Sequence, residues 1–150
     1  MSVVLPILTI RMSSSTVPVC EENPEEAYKI NAIGARNLAT AARRIDAKFI
    51  QISTDDVFGG DEDKAFCEFD DPHPTTMYGK SKYAGEKLVR ELTDKHVIVR
   101  SSWLYGVGSY DFVDRVLDTA AKEGAVHLPE DEISSPTSAE ALAGFIDCLM

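Results

Sequence analysis

The stretch that decides the fold is AKFIQISTDDVF, residues 47–58, in which a short apolar run ends in hydroxyl and carboxylate side chains. A continuous apolar run of this length predicts a buried strand. Ser53, Thr54 and Asp55 then stand at the carboxyl end of that strand, which is where open parallel sheets bind their ligands. The same hydroxyls also suit an ordinary turn after a strand, so the stretch leaves both interpretations open.

A helix is predicted on the amino-terminal side of this strand, in ENPEEAYKINAIGARNLATAARR, residues 22–44. Asn23 is the expected cap, Pro24 fits the first turn, and the next two residues are acidic, as the helix dipole favours. Apolar and small residues recur there at spacings of three and four, which predicts a core-facing stripe. The members of that stripe are Ala27, Ile30, Gly34, Leu38 and Ala41.

The remaining chain continues the alternation of helix and strand. Residues 59–76 are rich in Gly, Pro and Asp and predict a surface loop, and a helix is expected from about Tyr78 to Leu92. HVIVRSSWLYG predicts a second buried strand and AVHL a third short one. DFVDRVLDTAAKEG predicts a helix that stops at Gly124, with a core side made of Phe112, Val113, Val116 and Leu117. A capping box of Thr137 and Glu140 opens the last helix. The pattern predicts an α/β class with a parallel sheet covered by helices.

Composition limits the function classes. The 150 residues, 44% of them hydrophobic, predict one domain, and a net charge of -10 argues against a nucleic-acid or anionic-membrane partner. Cys20, Cys67 and Cys148 lack the spacing of a zinc site or a disulfide framework, which favours a reducing cytoplasm and predicts no metal site. The opening MSVVLPILTI is too short for a membrane span and poor as a secretory signal, so we interpret it as a strand or a ragged start.

Two tyrosine-lysine pairs with the same spacing occur in MYGKSKYAGEK, residues 77–87. Helical geometry places a core-facing stripe at Met77, Ser81, Ala84, Leu88 and Leu92. Tyr78 and Lys82 flank that stripe and can reach the mouth of a sheet. Tyr83 falls on the opposite side beside Lys87 and is expected to be solvated. The first pair is therefore the candidate for chemistry.

A phenol near an ammonium can transfer a proton at neutral pH. An unperturbed phenol has a pKa near 10, and a neighbouring cation lowers that pKa by stabilising the phenolate. Tyr78 could then protonate a carbonyl oxygen, while a hydroxyl at the strand edge donates a hydrogen bond to the same oxygen. The alternative is an interfacial tyrosine above an exposed lysine, with no catalytic role.

The sequence resembles the extended short-chain dehydrogenase/reductases and, within them, the dTDP-4-dehydrorhamnose reductases. The resemblance covers most of residues 23–143 in the order and spacing of that family. The stretches that carry it are AYKINAIGARNLATAA, ISTDDVF, YGKSKYAGE, IVRSSWLYG, DFV and SPTSAEALA. The YxxxK element is common to the superfamily, and the other elements together indicate the reductase subgroup.

The resemblance implies a partial Rossmann-like, doubly wound parallel sheet with flanking helices. It also implies that NADPH or NADH delivers hydride to C4 of a dTDP-4-keto-6-deoxyhexose, a nucleotide-sugar substrate, in cytoplasmic dTDP-rhamnose biosynthesis. Tyr78 would be the proton donor, and Lys82 would tune it and hold the nicotinamide ribose, with Ser53 also at the cofactor. Thr54 would orient the keto oxygen, and Asp55 and Trp103 would contact the sugar nucleotide. Trp103 has an alternative reading as a buried aromatic after a strand.

The sequence also departs from the family pattern. No glycine-rich strand-turn-helix for a pyrophosphate precedes Asn23. We therefore expect residues 1–22 to be an atypical stretch and residues 23–150 to be the central part of an NAD(P)-binding domain. That part would lack the first βα unit and the carboxyl-terminal substrate part, bind cofactor weakly or not at all, and associate into homo-oligomers through an exposed sheet edge. Asp56 stands where the family has Tyr and Asp111 where it has Asn, so each adds a carboxylate near a site for an anion.

Two other functions remain open from the sequence. Nucleotide-sugar epimerases and dehydratases share Tyr78 and Lys82, and a dehydratase needs an acidic pair beside the hydroxyl, such as Asp55 and Asp56. A non-catalytic subunit is the other alternative, because the regulatory subunit of methionine adenosyltransferase has a similar fold.

Overall fold

The computed structural model describes residues 17–60, 64–108, 111–128, 130 and 133–150. The chain divides into two compact units, one ending at Arg100 and the other running from Ser101 to Met150. The prediction of a strand or ragged start at residues 1–10 falls outside the described residues.

The first unit begins with helices. They are α1 (Val17–Glu22), α2 (Pro24–Tyr28), a π-helical turn (Lys29–Gly34) and α3 (Ala35–Arg44). The predicted helix over residues 22–44 is confirmed, with Pro24 in its first turn, although Asn23 makes no side-chain capping bond. Helix α1 was not predicted.

The π-helical turn changes which face of this helical run is buried. The buried residues are Ala27, Asn31, Ala32, Ala35, Ala39 and Ala42. Of the predicted stripe, Ala27 is buried, Leu38 is half-buried and packs against the core, Ile30 and Gly34 are half-buried, and Ala41 is exposed. A π-helical turn accommodates one more residue than an α-helical turn, so every later side chain is displaced around the axis.

Two strands meet beside these helices. They are β1 (Phe49–Thr54) and β2 (His96–Ser101), which are neighbours in one sheet. The Phe49 amide donates to the Lys95 carbonyl over 2.8 Å, so both strands begin at the same edge. The predicted α/β class with parallel strands is confirmed. Strand β2 is less buried than expected, because Val99 is its only buried residue.

Helix α4 (Met77–Leu92) connects the two strands, as predicted. The Thr76 hydroxyl accepts from the Gly79 amide at 2.9 Å, and the Glu21 carboxylate accepts from the Met77 amide at 2.6 Å. Its buried residues are Gly79, Ser81, Gly85, Glu86 and Val89. Of the predicted stripe, Ser81 is buried and Leu92 packs against the core, while Met77, Ala84 and Leu88 are half-buried. Glycines and a buried charge, which the apolar pattern did not predict, complete the packed face.

The second unit contains a short parallel pair, β3 (Leu104–Tyr105) and β4 (Thr137–Ser138), with helices α5 (Phe112–Glu123) and α6 (Ala139–Leu149). Gly124, with φ of 71°, ends α5 as predicted. The predicted strand at residues 125–128 is wrong, because this segment has no regular secondary structure. The partner of β3 is β4.

The details of the two helices in this unit also differ from prediction. The cap of α6 is Ser138, whose hydroxyl accepts from the Ala141 amide at 3.3 Å, rather than Thr137. No residue of α5 is buried, and of its expected core side Phe112 and Val116 are half-buried while Val113 and Leu117 are exposed. The apolar spacing predicted the α5 helix correctly, but the prediction that its apolar side lies in the core is wrong.

The three cysteines are free thiols; Cys20 is buried and Cys67 and Cys148 are exposed. Among the described residues, every helix is too short or too polar to cross a bilayer.

Candidate active site

The carboxyl end of β1 carries a cluster of polar side chains. Thr54 ends the strand and caps a short 3₁₀ turn at Asp55–Val57. The Thr54 hydroxyl accepts from the Asp56 amide at 3.2 Å and donates to the Asp55 carboxylate at 3.2 Å. Thr54 is buried and both aspartates are half-buried, so this edge presents a fixed hydroxyl beside two acids.

Tyr78, in the first turn of α4, lies beside this hydroxyl. Thr54 lies close enough to the Tyr78 phenol for side-chain hydrogen bonding to lower the pKa of that phenol. The Ser81 hydroxyl donates to the Tyr78 carbonyl at 2.8 Å and accepts from the Asn31 side-chain amide at 2.9 Å. Through Asn31 and Ser81, the π-helical turn therefore helps to fix the first turns of α4.

The pKa of Tyr78 is displaced in the direction opposite to that expected from the sequence. Burial raises the pKa of Tyr78, the Thr54 hydrogen bond lowers it, and electrostatic interactions with Asp56, Cys20 and Asp55 raise it further. The net direction is upward, and Lys82 is not among the causes. The prediction that Lys82 makes this phenol more acidic is wrong for the protein chain by itself.

Lys82 lies at the same strand edge but contacts the backbone. Its Nζ donates to the Ile52 carbonyl at 2.7 Å. Burial lowers the pKa of Lys82, and the charge of Glu86 opposes that shift. The ammonium is thus held two residues before Thr54 on the strand, and Tyr78, Thr54 and Lys82 come together as the sequence suggested.

The two unusual aspartates have different surroundings. Burial, and secondly the charge of Asp55, raise the pKa of Asp56, and Asp56 in turn acts on Tyr78. Asp56 therefore belongs to the cluster. Asp111, in the second unit, instead caps α5: its Oδ1 accepts from the amides of Val113 at 2.8 Å and Asp114 at 3.2 Å, and its Oδ2 accepts from Gly106 at 3.0 Å.

Three other sequence candidates are placed as follows. Ser53 is buried, and its hydroxyl has no hydrogen-bond partner in the described part of the chain. Trp103 belongs to the second unit, where its ring lies 4.6 Å from that of Phe112 and remains 39% exposed, so it is not a buried aromatic. Tyr83 is half-buried rather than solvated, and the Lys87 ammonium lies 5.0 Å from its ring centroid.

Sequence reasoning missed a buried ion pair beside the cluster. Glu86 is fully buried one helical turn after Lys82. Its Oε1 accepts from Arg100 Nε at 3.0 Å and its Oε2 accepts from Arg100 Nη2 at 2.7 Å. The spacing of four residues from Lys82 was a usable signal, but a glutamate on a helix rich in charges gives no indication of burial.

Comparisons with known proteins agree on one family. The sequence model of the RmlD substrate binding domain matches residues 13–150. The spore coat polysaccharide biosynthesis protein SpsK of Bacillus subtilis (strain 168) is 41% identical over 129 residues, which cover 86% of this chain and 46% of that protein. The dTDP-4-dehydrorhamnose reductase of Escherichia coli (strain K12) is 36% identical over 142 residues, covering 95% and 46%.

A solved structure shows the same relationship. The crystal structure of dTDP-4-dehydrorhamnose reductase from Bacillus anthracis str. Ames in complex with NADP superposes with a TM-score of 0.86 at 42% identity. The match covers 91% of this chain and 49% of that one. The chain thus spans a little under half the length of the proteins it matches, and the Rossmann-type fold expected from the sequence is confirmed.

Proposed function

We propose a function on the premise that this chain belongs to the RmlD substrate binding domain family, whose model matches residues 13–150. The chain carries the proton-transfer part of a dTDP-4-dehydrorhamnose reductase. The reaction is reduction of the C4 ketone of a dTDP-4-keto-6-deoxyhexose by NADPH or NADH, in dTDP-rhamnose biosynthesis. Relatives named dTDP-4-dehydrorhamnose reductase that are 36% and 40% identical support this reaction over the epimerase and the non-catalytic alternatives.

The observation that carries the proposal is the meeting of three side chains at the end of β1. Thr54 ends the strand, Tyr78 in the first turn of α4 lies close enough for Thr54 to lower its pKa, and Lys82 donates to the Ile52 carbonyl at 2.7 Å. Two hydroxyls from different elements meet at one strand end, which is where ligands of parallel sheets bind. A ketone oxygen placed between them would receive a hydrogen bond from Thr54 and a proton from Tyr78. Asp55 and, in the second unit, Trp103 are the proposed sugar-nucleotide contacts.

The raised pKa of Tyr78 suits a proton donor. A neutral phenol holds its proton until negative charge develops on the ketone oxygen, and it then transfers that proton to the new alkoxide. Without substrate, the Thr54 hydrogen bond lowers the pKa of Tyr78. With a ketone bound between the two side chains, that hydrogen is donated to the ketone oxygen instead. Thr54 has a single hydrogen to donate, and its bond to Asp55 at 3.2 Å competes for it.

The residues at this edge fit a nicotinamide nucleotide. The buried Ser53 hydroxyl has no partner in the described part of the chain and can bind an amide or ribose group. The Lys82 ammonium donates one hydrogen to the Ile52 carbonyl, so its other hydrogens can be donated to ribose hydroxyls. When bound, the reduced nicotinamide supplies the hydride that reduces C4.

A product assay tests this function. The protein is mixed with NADPH or NADH and a dTDP-4-keto-6-deoxyhexose, and loss of reduced nicotinamide is compared with formation of the dTDP-6-deoxyhexose by mass spectrometry. Tyr78→Phe should reduce turnover by roughly a hundredfold or more, and Tyr83→Phe, the matched control on the same helix, should not. Turnover that survives in Tyr78→Phe would exclude Tyr78 as the proton donor.

The cellular setting follows from the same proposal. A nucleotide-sugar reductase draws on cytoplasmic NADPH or NADH, so the cytoplasm is its proposed location, with a small sugar nucleotide as partner. The net charge of -10 opposes nucleic acid and anionic membranes as further partners. Association of copies into a homo-oligomer completes the proposal, and light scattering over a concentration series would test it.

A further inference from the structure

Glu86 is a carboxylate buried where burial is costly. Its side chain is fully inaccessible, and an ionised group in such a place is retained only when it is paired and hydrogen-bonded. Both oxygens are engaged by the Arg100 guanidinium in a bidentate arrangement, and Oε2 also accepts from Arg90 at 3.3 Å. The pair is therefore a specific, costly feature of the fold.

The ion pair joins α4, which carries Tyr78 and Lys82, to β2, the neighbour of β1 in the sheet. Glu86 lies on α4, one turn after Lys82 and two turns after Tyr78. Arg100 lies near the carboxyl end of β2, and its guanidinium stands 4.9 Å from the ring centroid of Phe58, which follows the Asp55–Val57 turn. A shift of α4 relative to either strand end would break this geometry.

The surroundings of Lys82 single out Glu86. The elements packed on α4 bring several titratable groups to this region, namely Arg100 from β2, Asp55 and Asp56 from the 3₁₀ turn, and Cys20 and Glu21 from α1. Tyr78 and Arg90 add those of α4 itself. Of all these, Glu86 is the group whose charge opposes the effect of burial on the pKa of Lys82.

We propose that Glu86, fixed by Arg100, is a positioning residue for Lys82: its buried negative charge keeps Lys82 a cation at the strand edge. The proposal rests on the function given above, because a charged Lys82 matters only if the cluster handles a proton. Arg100 supplies the rigidity, and Arg90 at the surface adds less. The pair thus acts on the chemistry through Lys82 without contacting substrate.

The test measures the protonation of Lys82 directly. In protein labelled with ¹³C-lysine, the Cε chemical shift of Lys82, assigned by its loss in Lys82→Gln, is followed against pH. Glu86→Gln keeps the size of the side chain and removes its charge, so the midpoint of the Lys82 titration should fall by on the order of one pH unit. Glu91→Gln, an exposed carboxylate of the same helix, should leave the midpoint unchanged.

The outcomes are decisive in either direction. A Lys82 midpoint that is the same in folded Glu86→Gln and in the wild type would show that the ion pair is structural only. If Glu86→Gln does not fold, Glu86→Gln/Arg100→Gln removes both charges and avoids an unpaired buried cation. Its Lys82 midpoint should fall by less, because a positive charge is lost with the negative one, and a midpoint that does not fall would contradict the proposal. Because the readout needs no turnover, a wild type that reduces no ketosugar would overturn the proposed function separately. Where turnover is observed, the pH above which activity is lost should also be lower in Glu86→Gln than in the wild type.

Discussion

The backbone of α4 passes so close to the 3₁₀ turn that a Cβ on Gly79 would lie 2.1 Å from the carbonyl oxygen of Asp56. No real Cβ approaches a backbone oxygen that closely, so only glycine allows this contact. The contact immediately follows Tyr78 in sequence. The position of the phenol is therefore set by a residue that has no side chain.

Gly79→Ala should move the start of α4 away from the turn. We expect a loss of about 1–3 kcal/mol in the free energy of unfolding, the usual cost of forcing a methyl group into a packed site, together with loss of the Tyr78–Thr54 hydrogen bond. Urea unfolding followed by circular dichroism measures the first effect. Gly144→Ala, in α6 with open space around its Cβ position, should instead gain up to about 1 kcal/mol.

Thr54→Val should raise the pKa of Tyr78, because the Thr54 hydrogen bond lowers that pKa in the native chain. Thr54→Ser keeps the hydroxyl and should ionise like the wild type. The tyrosinate absorbance, with the Tyr78 contribution identified by Tyr78→Phe, distinguishes the variants. If ketosugar reduction is measurable, Thr54→Val should lower it by roughly a hundredfold. Equal titrations of the valine and serine variants would contradict the predicted role of the hydroxyl.

Asp56→Asn should stabilise the protein at neutral pH. Burial, followed by the Asp55 charge, raises the pKa of Asp56 above its ordinary value of 3.8. A raised pKa contributes stability below the unfolded pKa, and this stability is lost as the pH rises through the folded pKa. The advantage of Asp56→Asn should therefore grow as the pH rises through that range. Urea unfolding at a series of pH values tests this, with Asp94→Asn as the control for loss of an exposed carboxylate.

Asp56→Asn should also make Tyr78 more acidic, since the charge of Asp56 raises the pKa of that phenol. In the same tyrosinate titration, the Tyr78 midpoint should move to lower pH in Asp56→Asn, whereas it should move to higher pH in Thr54→Val. A Tyr78 titration that does not move would show that Asp56 is electrostatically remote from the phenol.

Asp111→Asn should remove a pH dependence of the second unit. Hydrogen bonds from the amides of Gly106, Asp114 and Val113 lower the pKa of Asp111. A lowered pKa gives stability that is present above the unfolded pKa and is lost as the pH falls through the folded pKa. The wild type should thus exceed Asp111→Asn at neutral pH and converge with it in acid. Trp103 fluorescence reports this unit, and Asp147→Asn on α6 serves as the control.

The sequence was sufficient to place α3, β1, α4, β2 and α5 in order and to select the residues that meet at the strand edge, but α1 and the β3–β4 pair were not predicted. Hydrophobic runs, Pro24 and Gly124 mark element boundaries by local chemistry, so α3, β1, α4 and α5 could be located without coordinates. Thr54 and Tyr78 could be paired because strand ends and helix starts meet at a known edge of parallel sheets.

The packed faces could not be predicted, because they depend on contacts between distant segments. The approach of Gly85 to the Asn31 carbonyl, where a Cβ would lie 2.3 Å away, selects a face that apolar spacing does not mark. The burial of Glu86 depends on Arg100, fourteen residues away along the chain. The direction of the Tyr78 pKa was missed for the same reason, since burial and Asp56 outweigh the expected effect of Lys82.

The π-helical turn at Lys29–Gly34 sets the angle around the helix axis between the side chains before it, in α2, and those after it, in α3. Removing a single residue from it would restore ordinary α-helical winding and rotate everything that follows by roughly 100°. Asn31 could then no longer serve both Ser81 and the backbone beside Gly85 in one register. Deleting one residue from this turn would therefore change the position of the Tyr78 phenol because the helical run rotates, and not because the helix becomes shorter.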